Sequence, residues 1–303
     1  MDLPVDLFIL HSCAGSIPLD VPPITLRPRF PPGSDRVVGG RAFPRYDLSY
    51  RDQFWSSRAY EDRCDRLALR ALLPHGGRLL LDVGAGFGRL VDEYAAFTDV
   101  VLIDTSPAML DAARDRVAGM SGVAVLGADA ANLPILNGSV DVIVAVRLLV
   151  HVADPGDIFR EIARVLRPGG SLILEYPNRR HLLSVLRRLA RRQSWSPSGA
   201  GPIEYLAGHF AHQPATIESQ LRAAGLAPDA RRAVSLFRST TLKRLVPAGV
   251  LAAIEARLQR PLGRLSLSPS IYVRSIRVDP TTLDRVVPGG VTARVREEID
   301  CES

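Results

Sequence analysis

The chain has 303 residues, 47% of them hydrophobic, enough to bury one large core with appendages or two small ones. No run of eighteen uncharged apolar residues occurs, which argues against a transmembrane helix. The net charge of +6 comes with 38 basic residues of which Lys243 is the one lysine. Arginine spread in this way reads as a compositional habit rather than a nucleic-acid footprint, which should be clustered.

The early apolar patch LFILHSCAGS follows Asp2 and Asp6 instead of basic residues, so it is a poor signal peptide and a cytoplasmic location is expected. Cys13, Cys64 and Cys301 are scattered and odd in number, giving neither a disulfide framework nor a zinc site, and no metal is expected. Residues 1–45 include IPLDVPPITLRPRFPPGSD, too proline-rich for a helix or a central strand, and read as an irregular leader. An aromatic stretch with Tyr46, Tyr50, Phe54, Trp55 and Tyr60 then turns helical over about 57–73, with Leu67, Ala68, Ala71 and Leu72 as its buried stripe.

From Leu79 a regular alternation begins. RLLLDV predicts a strand, RLVDEYAAF a helix, and DVVLID a strand. SPAMLDAARDRVA is a helix with Ser106 as N-cap and Pro107 in its first turn. VAVLGAD and VDVIVAV are strands on either side of the turn-rich LPILNGS. DPGDIFREIARVLRPGG is a helix ended by Pro168, Gly169 and Gly170, and SLILEYP is a fifth strand. Such alternation predicts an α/β fold, a doubly wound and mostly parallel sheet covered on both faces.

Further on, RRHLLSVLRRLARRQSW predicts a basic helix, SPSGAG a link, and PATIESQLRAAGL a helix ending near Gly225. RRAVSLFR and SIYVRSIRV are late strands that would complete a seven-stranded sheet. Residues 279–303 show no core pattern and read as a tail.

The apolar run Leu79–Val83 meets glycines at Gly84, Gly86 and Gly88 where a strand passes into helix. Glycines there permit positive φ and let backbone approach a ligand. The dinucleotide fingerprint G-x-G-x-x-G fails, because Arg89 stands where the third glycine belongs. What is present is D-x-G-x-G-x-G, and an acidic Asp82 beside a pyrophosphate would repel it. Asp82 suits a ligand carrying an ammonium or sulfonium group.

These motifs resemble the class I S-adenosylmethionine (SAM) dependent methyltransferases, in the group that includes quinone-biosynthesis methyltransferases, over about residues 46–226. The resemblance implies a Rossmann-like methyltransferase domain over 46–278, with its core at 79–178 and a helical cap at about 179–212. It implies SAM as cofactor. In LDVGAGFG it places Gly84, Ala85, Gly86 and Gly88 against the methionine part, with Asp82 near its amino group. In VVLIDTSPAML, Asp104 lies twenty residues after Gly84, where a carboxylate can accept both ribose hydroxyls, and Thr105 and Met109 flank the adenosine. In GADAANLP, Asp129 accepts from the adenine amino group and Ala130 leaves room for the ring. Val146 closes the fourth strand against the cofactor.

Methyl transfer is a displacement that needs alignment more than acid–base help. His151, shortly after the fourth strand, is the base candidate by position, against the reading of a loop histidine satisfied by backbone. Arg147, Tyr176 and Asn178 are expected to line the acceptor crevice, and Tyr50 to act as a lid residue. The amino-methylating signature [DN]-P-P-[FYW] does not occur at the end of the fourth strand, where AVRLLVH stands. The expected acceptor is therefore a small-molecule or lipid-like compound, with an RNA-modifying methyltransferase as the alternative and nucleic acid disfavoured as a partner. In the basic helix, Leu182, Leu183, Leu186 and Leu189 form one stripe and Arg187, Arg188, Arg191 and Arg192 another. Two readings follow: a substrate-side cap packed by its leucines, which is favoured, or peripheral membrane contact through residues 179–195.

Overall fold

The computed structural model describes residues 37–38, 41–42, 55 and 58–278. Most of the leader, the aromatic residues Tyr46, Tyr50 and Phe54, and the tail from residue 279 lie outside these described residues. Inside the leader, β1 (Val37–Val38) and β2 (Arg41–Ala42) pair antiparallel, a departure from the irregular leader expected. The local sequence VVGGRA has no proline, and its Gly-Gly is a hairpin signal.

The order then runs α1 (Ala59–Arg70), β3 (Gly77–Val83), β4 (Phe97–Asp104), α2 (Pro107–Val117), β5 (Val123–Gly127), β6 (Val140–Ala145), α3 (Gly156–Val165) and β7 (Leu166–Pro177). After these come α4 (Leu182–Leu189), β8 (Ile203–Leu206), β9 (His209–Ala211), α5 (Pro214–Ala223), β10 (Leu226–Val234), α6 (Thr240–Leu245), α7 (Ala248–Leu265) and β11 (Ser270–Arg277). Seven strands form one sheet in the order β10-β11-β7-β6-β3-β4-β5. β5, β4, β3, β6 and β7 are mutually parallel, and β11 runs antiparallel to both its neighbours. The chain winds outward from β3 to β5, then returns to β6 on the other side of β3. That reversal opens a crevice at the carboxyl ends of β3 and β6.

Period-two alternation explains why the strands read as continuous apolar runs. Leu80, Leu102, Val142, Val144 and Ile173 join one core with Tyr60, Cys64, Ala68 and Leu69 of α1. Leu81, Val83, Ile103, Ile143, Leu172 and Leu174 join the other, with Ile158, Phe159 and Ile162 of α3 and Ile217 and Leu221 of α5. Helix α2 starts as its sequence implies, with the Ser106 hydroxyl accepting from the Met109 amide at 3.5 Å and proline in the first turn.

Several elements differ from the sequence expectation, among them the strand pair β8–β9, which stands where a helical cap was expected. RLVDEYAAF forms one short 3-10 turn, Val91–Tyr94, because the glycine turn consumes half of the link between β3 and β4. The helix α3 ends at Val165, before the RPGG run, and β7 begins at Leu166 by pairing with Val140. Gly170 there has the Val140 and Asp141 carbonyls 3.1 Å from where a Cβ would stand. The basic helix is confined to Leu182–Leu189, with His181 as its N-cap and Arg191 at φ 55° after its end. Helices α6 and α7 were not expected at all.

Candidate active site

The tips of β3, β4 and β5 bring Asp82, Asp104 and Asp129 to one edge of the sheet, since Asp82 pairs with Leu102 and Asp104 with Gly127. Gly84, Gly86 and Gly88 all have positive φ, at 77°, 55° and 73°. The turn is held by the Gly84 and Ala85 amides, which donate to the Ile103 carbonyl at 2.8 and 2.9 Å. A Cβ on Gly84 would press on Leu148 at 3.2 Å and one on Gly88 on Leu102 at 3.0 Å, whereas a Cβ on Gly86 would meet none of the described residues within 4 Å. The middle glycine therefore borders open space, as backbone approached by a ligand should.

Asp104 locks this turn to the second strand. Its Oδ2 accepts from the Gly86 amide at 2.9 Å, and Oδ1 from the Thr105 and Ser106 amides at 2.7 and 2.9 Å. An ionised carboxylate has about four acceptor positions. Three are taken by backbone amides among the described residues. Thr105 is exposed beside it. Met109 is 2% exposed and packs with Phe87, Ala112 and Trp55, forming the wall under the crevice.

Asp82 is buried and accepts from the Tyr94 hydroxyl at 2.8 Å. Burial pushes its pKa up to about 7, against the Tyr94 hydrogen bond and the Arg89 charge, which pull it down. Asp129 shapes a turn, its Oδ1 accepting from the Ala131 amide at 3.0 Å, and Ala130 and Val146 are buried next to the tips of their strands.

A charged roof that the sequence did not reveal covers the turn. The Arg89 guanidinium lies 3.8 Å from the centre of the Trp55 ring and pairs with Asp62 at 2.5 Å and Asp65 at 2.9 Å. Arg147 approaches the same ring at 4.9 Å and reaches Asp65 at 3.2 Å. Arg147 has φ 60°, and its amide donates to Glu175 Oε2 at 2.8 Å. Glu175 is buried, which raises its pKa, and it also accepts from the Ser270 hydroxyl. Asp65 of α1 and Glu175 of β7 are far apart in sequence, and Arg147 contacts both, its side chain reaching Asp65 and its amide Glu175. Trp55 thus serves this roof, and Tyr60 packs instead under α7 and Phe237.

On the acceptor side, His151 Nδ1 lies 3.3 Å from the Gly208 carbonyl, and its ring meets His209 edge-on at 5.0 Å. Burial pushes its pKa down to about 4. Tyr176 and Asn178 do not line the crevice. Tyr176 is 1% exposed within the core facing α3 and α5. Asn178 donates to the Ser266 and Ser268 carbonyls at 2.7 and 2.8 Å and accepts from the Arg180 amide, which spends its polar atoms on backbone. Alternation along β7 points Glu175, not Tyr176, toward the roof. Tyr50 lies outside the described residues.

A methyltransferase-domain family model matches residues 81–174. The chain is 33% identical over 198 residues to a demethylmenaquinone methyltransferase of Clavibacter sepedonicus, covering 61% of this chain and 80% of that one. It is 40% identical over 123 residues to an uncharacterised methyltransferase of Mycobacterium tuberculosis, covering 40% and 49%. The chain spans about half the length of several curated relatives it matches. Among solved structures, a methyltransferase in complex with the Haloferax volcanii Trm112 activator superposes with a TM-score of 0.51 at 20% identity, covering 77% of this chain and 95% of that one, a likeness of fold. The chain belongs to the class I SAM-dependent methyltransferases. S-adenosylmethionine is the cofactor of that family, and the open Gly86, the Asp104 clasp and the buried Asp82 fit it.

Proposed function

We propose that this chain transfers the methyl group of SAM to a small-molecule or lipid-like acceptor. The observation that carries the reading is the clasp between Asp104 and the Gly86 amide, with open space among the described residues where a Gly86 Cβ would stand, at the sheet's switch point. Bound SAM supplies an electrophilic methyl on a sulfonium, with a neutral thioether as leaving group. The chain's own work is alignment. Asp104 and the adjoining Thr105 hold the ribose side, and Asp129 and Ala130 the base. Asp82, with Gly84, Ala85, Gly86 and Gly88, receives the amino-acid end. Val146 and Met109 wall the crevice.

His151 is a poor general base for a hydroxyl, since its pKa near 4 sits far from that of an alcohol or phenol. A demethylmenaquinone methyltransferase among the relatives supports a non-macromolecular acceptor.

Asp104→Ala is expected to weaken SAM affinity at least about tenfold by calorimetry, through loss of a charge-assisted bond and of the Gly86 anchor. Unchanged affinity would remove the ribose assignment. Labelled SAM offered with quinol, phenol, lipid and RNA fractions tests the acceptor. Label entering RNA, with binding that falls steeply with salt, would favour the RNA-modifying alternative.

A further inference from the structure

Helix α4 is built inside out. Leu182, Leu183, Leu186 and Leu189 share one helical face and are 51%, 46%, 50% and 74% exposed, whereas Ser184 is buried with its hydroxyl donating to the Arg179 carbonyl at 2.6 Å. This overturns the expectation of a cap packed by its leucines. The same segment carries Arg179, Arg180, Arg187, Arg188, Arg191 and Arg192, and no acidic residue falls between Glu175 and Glu204. Trp195 closes it, its ring 5.7 Å from the Arg179 guanidinium.

The hairpin β8–β9 adds exposed Tyr205 and Leu206. Both elements spring from one root, where Asn178 bridges His212 and the Arg179 amide donates to the His212 carbonyl at 3.0 Å. That root is the carboxyl end of β7. The hairpin also lies against the turn holding His151, just past the carboxyl end of β6.

An apolar stripe turned to water is unfavourable until covered. Charge selects the cover. A second copy of this face would set arginines against arginines, and a nucleic acid would satisfy the arginines and leave the leucines wet. An anionic bilayer accepts both, taking leucines into the acyl boundary and guanidinium groups among its phosphates. We propose that α4 and the tip of β8–β9 dock on an anionic lipid surface, so that the crevice opens toward a membrane-dissolved acceptor. The entry of a lipid-like acceptor rests on the methyltransferase reading, whereas the docking does not.

The test is co-sedimentation of the full chain with vesicles of phosphatidylglycerol and phosphatidylcholine in equal parts, and with phosphatidylcholine alone. Binding is expected to the anionic vesicles only and to fall at high salt. Leu186→Glu with Leu189→Glu, and separately Arg187→Gln with Arg191→Gln, should each weaken it at least about tenfold. SAM affinity by calorimetry should stay unchanged in both variants, which separates a failure of docking from a failure of the cofactor site. Absence of vesicle binding at low salt, or binding indifferent to the leucine variant, would overturn the proposal. So would a dimer in sedimentation velocity that the leucine variant abolishes, RNA binding of equal strength sensitive only to the arginines, or vesicle binding that appears only after residues 279–303 are removed.

Discussion

Asp82 illustrates how one buried carboxyl can couple cofactor binding to proton concentration. With its pKa near 7 it is about half ionised at neutrality. A cationic group brought beside it favours the charged form, so SAM affinity is expected to rise with pH up to about 7 and level off above, falling about tenfold per unit below it. Asp82→Asn should flatten that profile in calorimetry, and a wild-type profile already flat between about pH 5.5 and 8 would show that this carboxyl does not meet the ligand's charge. Stability runs the opposite way. The folded-state pKa is raised above the ordinary 3.8, so the contribution is fully present below that value and is lost as pH rises through about 7. At this scale the sequence told much: three aspartates and three glycines lie within short local motifs, and strand ends place them. The roof was hidden because Asp65, Arg147 and Glu175 meet only through tertiary contact, each unremarkable in its own stretch.

At the level of elements, α7 shows why a helix can escape a reading of apolar periodicity. Its buried positions are Leu251, Ala252, Glu255, Gln259 and Gly263, which recur at helical spacing yet are mostly small or polar, and Pro261 interrupts the run. Glu255 accepts from the Ser235 and Leu236 amides at 3.0 and 2.9 Å and from the Tyr60 hydroxyl, tying α7 to α1 and to the segment after β10. Glu255→Ala should cost about 3 kcal/mol in urea unfolding, because it strands buried donors. A cost under about 1 kcal/mol would mean water replaces the carboxylate. The error at α4 has a related cause. Sequence spacing identifies which stripe is apolar, but not whether the fold turns that stripe inward. The central strands β3, β4, β6 and β7 gave no such trouble, since runs buried on both faces have no orientation to mistake.

For the molecule as a whole, the alternation of strands and helices sufficed to foresee a doubly wound sheet and the late strands that complete it, and the crevice followed from the winding. The contacts described for the glycine turn and Asp104 run within residues 82–106 and to Leu148, so removing residues 1–40 is expected to leave SAM affinity intact by calorimetry. A collapse of binding would make the leader part of the site. The placing of β11 has a consequence for biosynthesis. It is the last strand of the sheet in chain order, yet it sits between β10 and β7 with the opposite polarity. Until residues 270–277 leave the ribosome, β7 keeps an open hydrogen-bonding edge and β10 has no neighbour. A nascent chain halted short of that point should be cut by protease where the finished protein resists, and should self-associate through the unmatched edge.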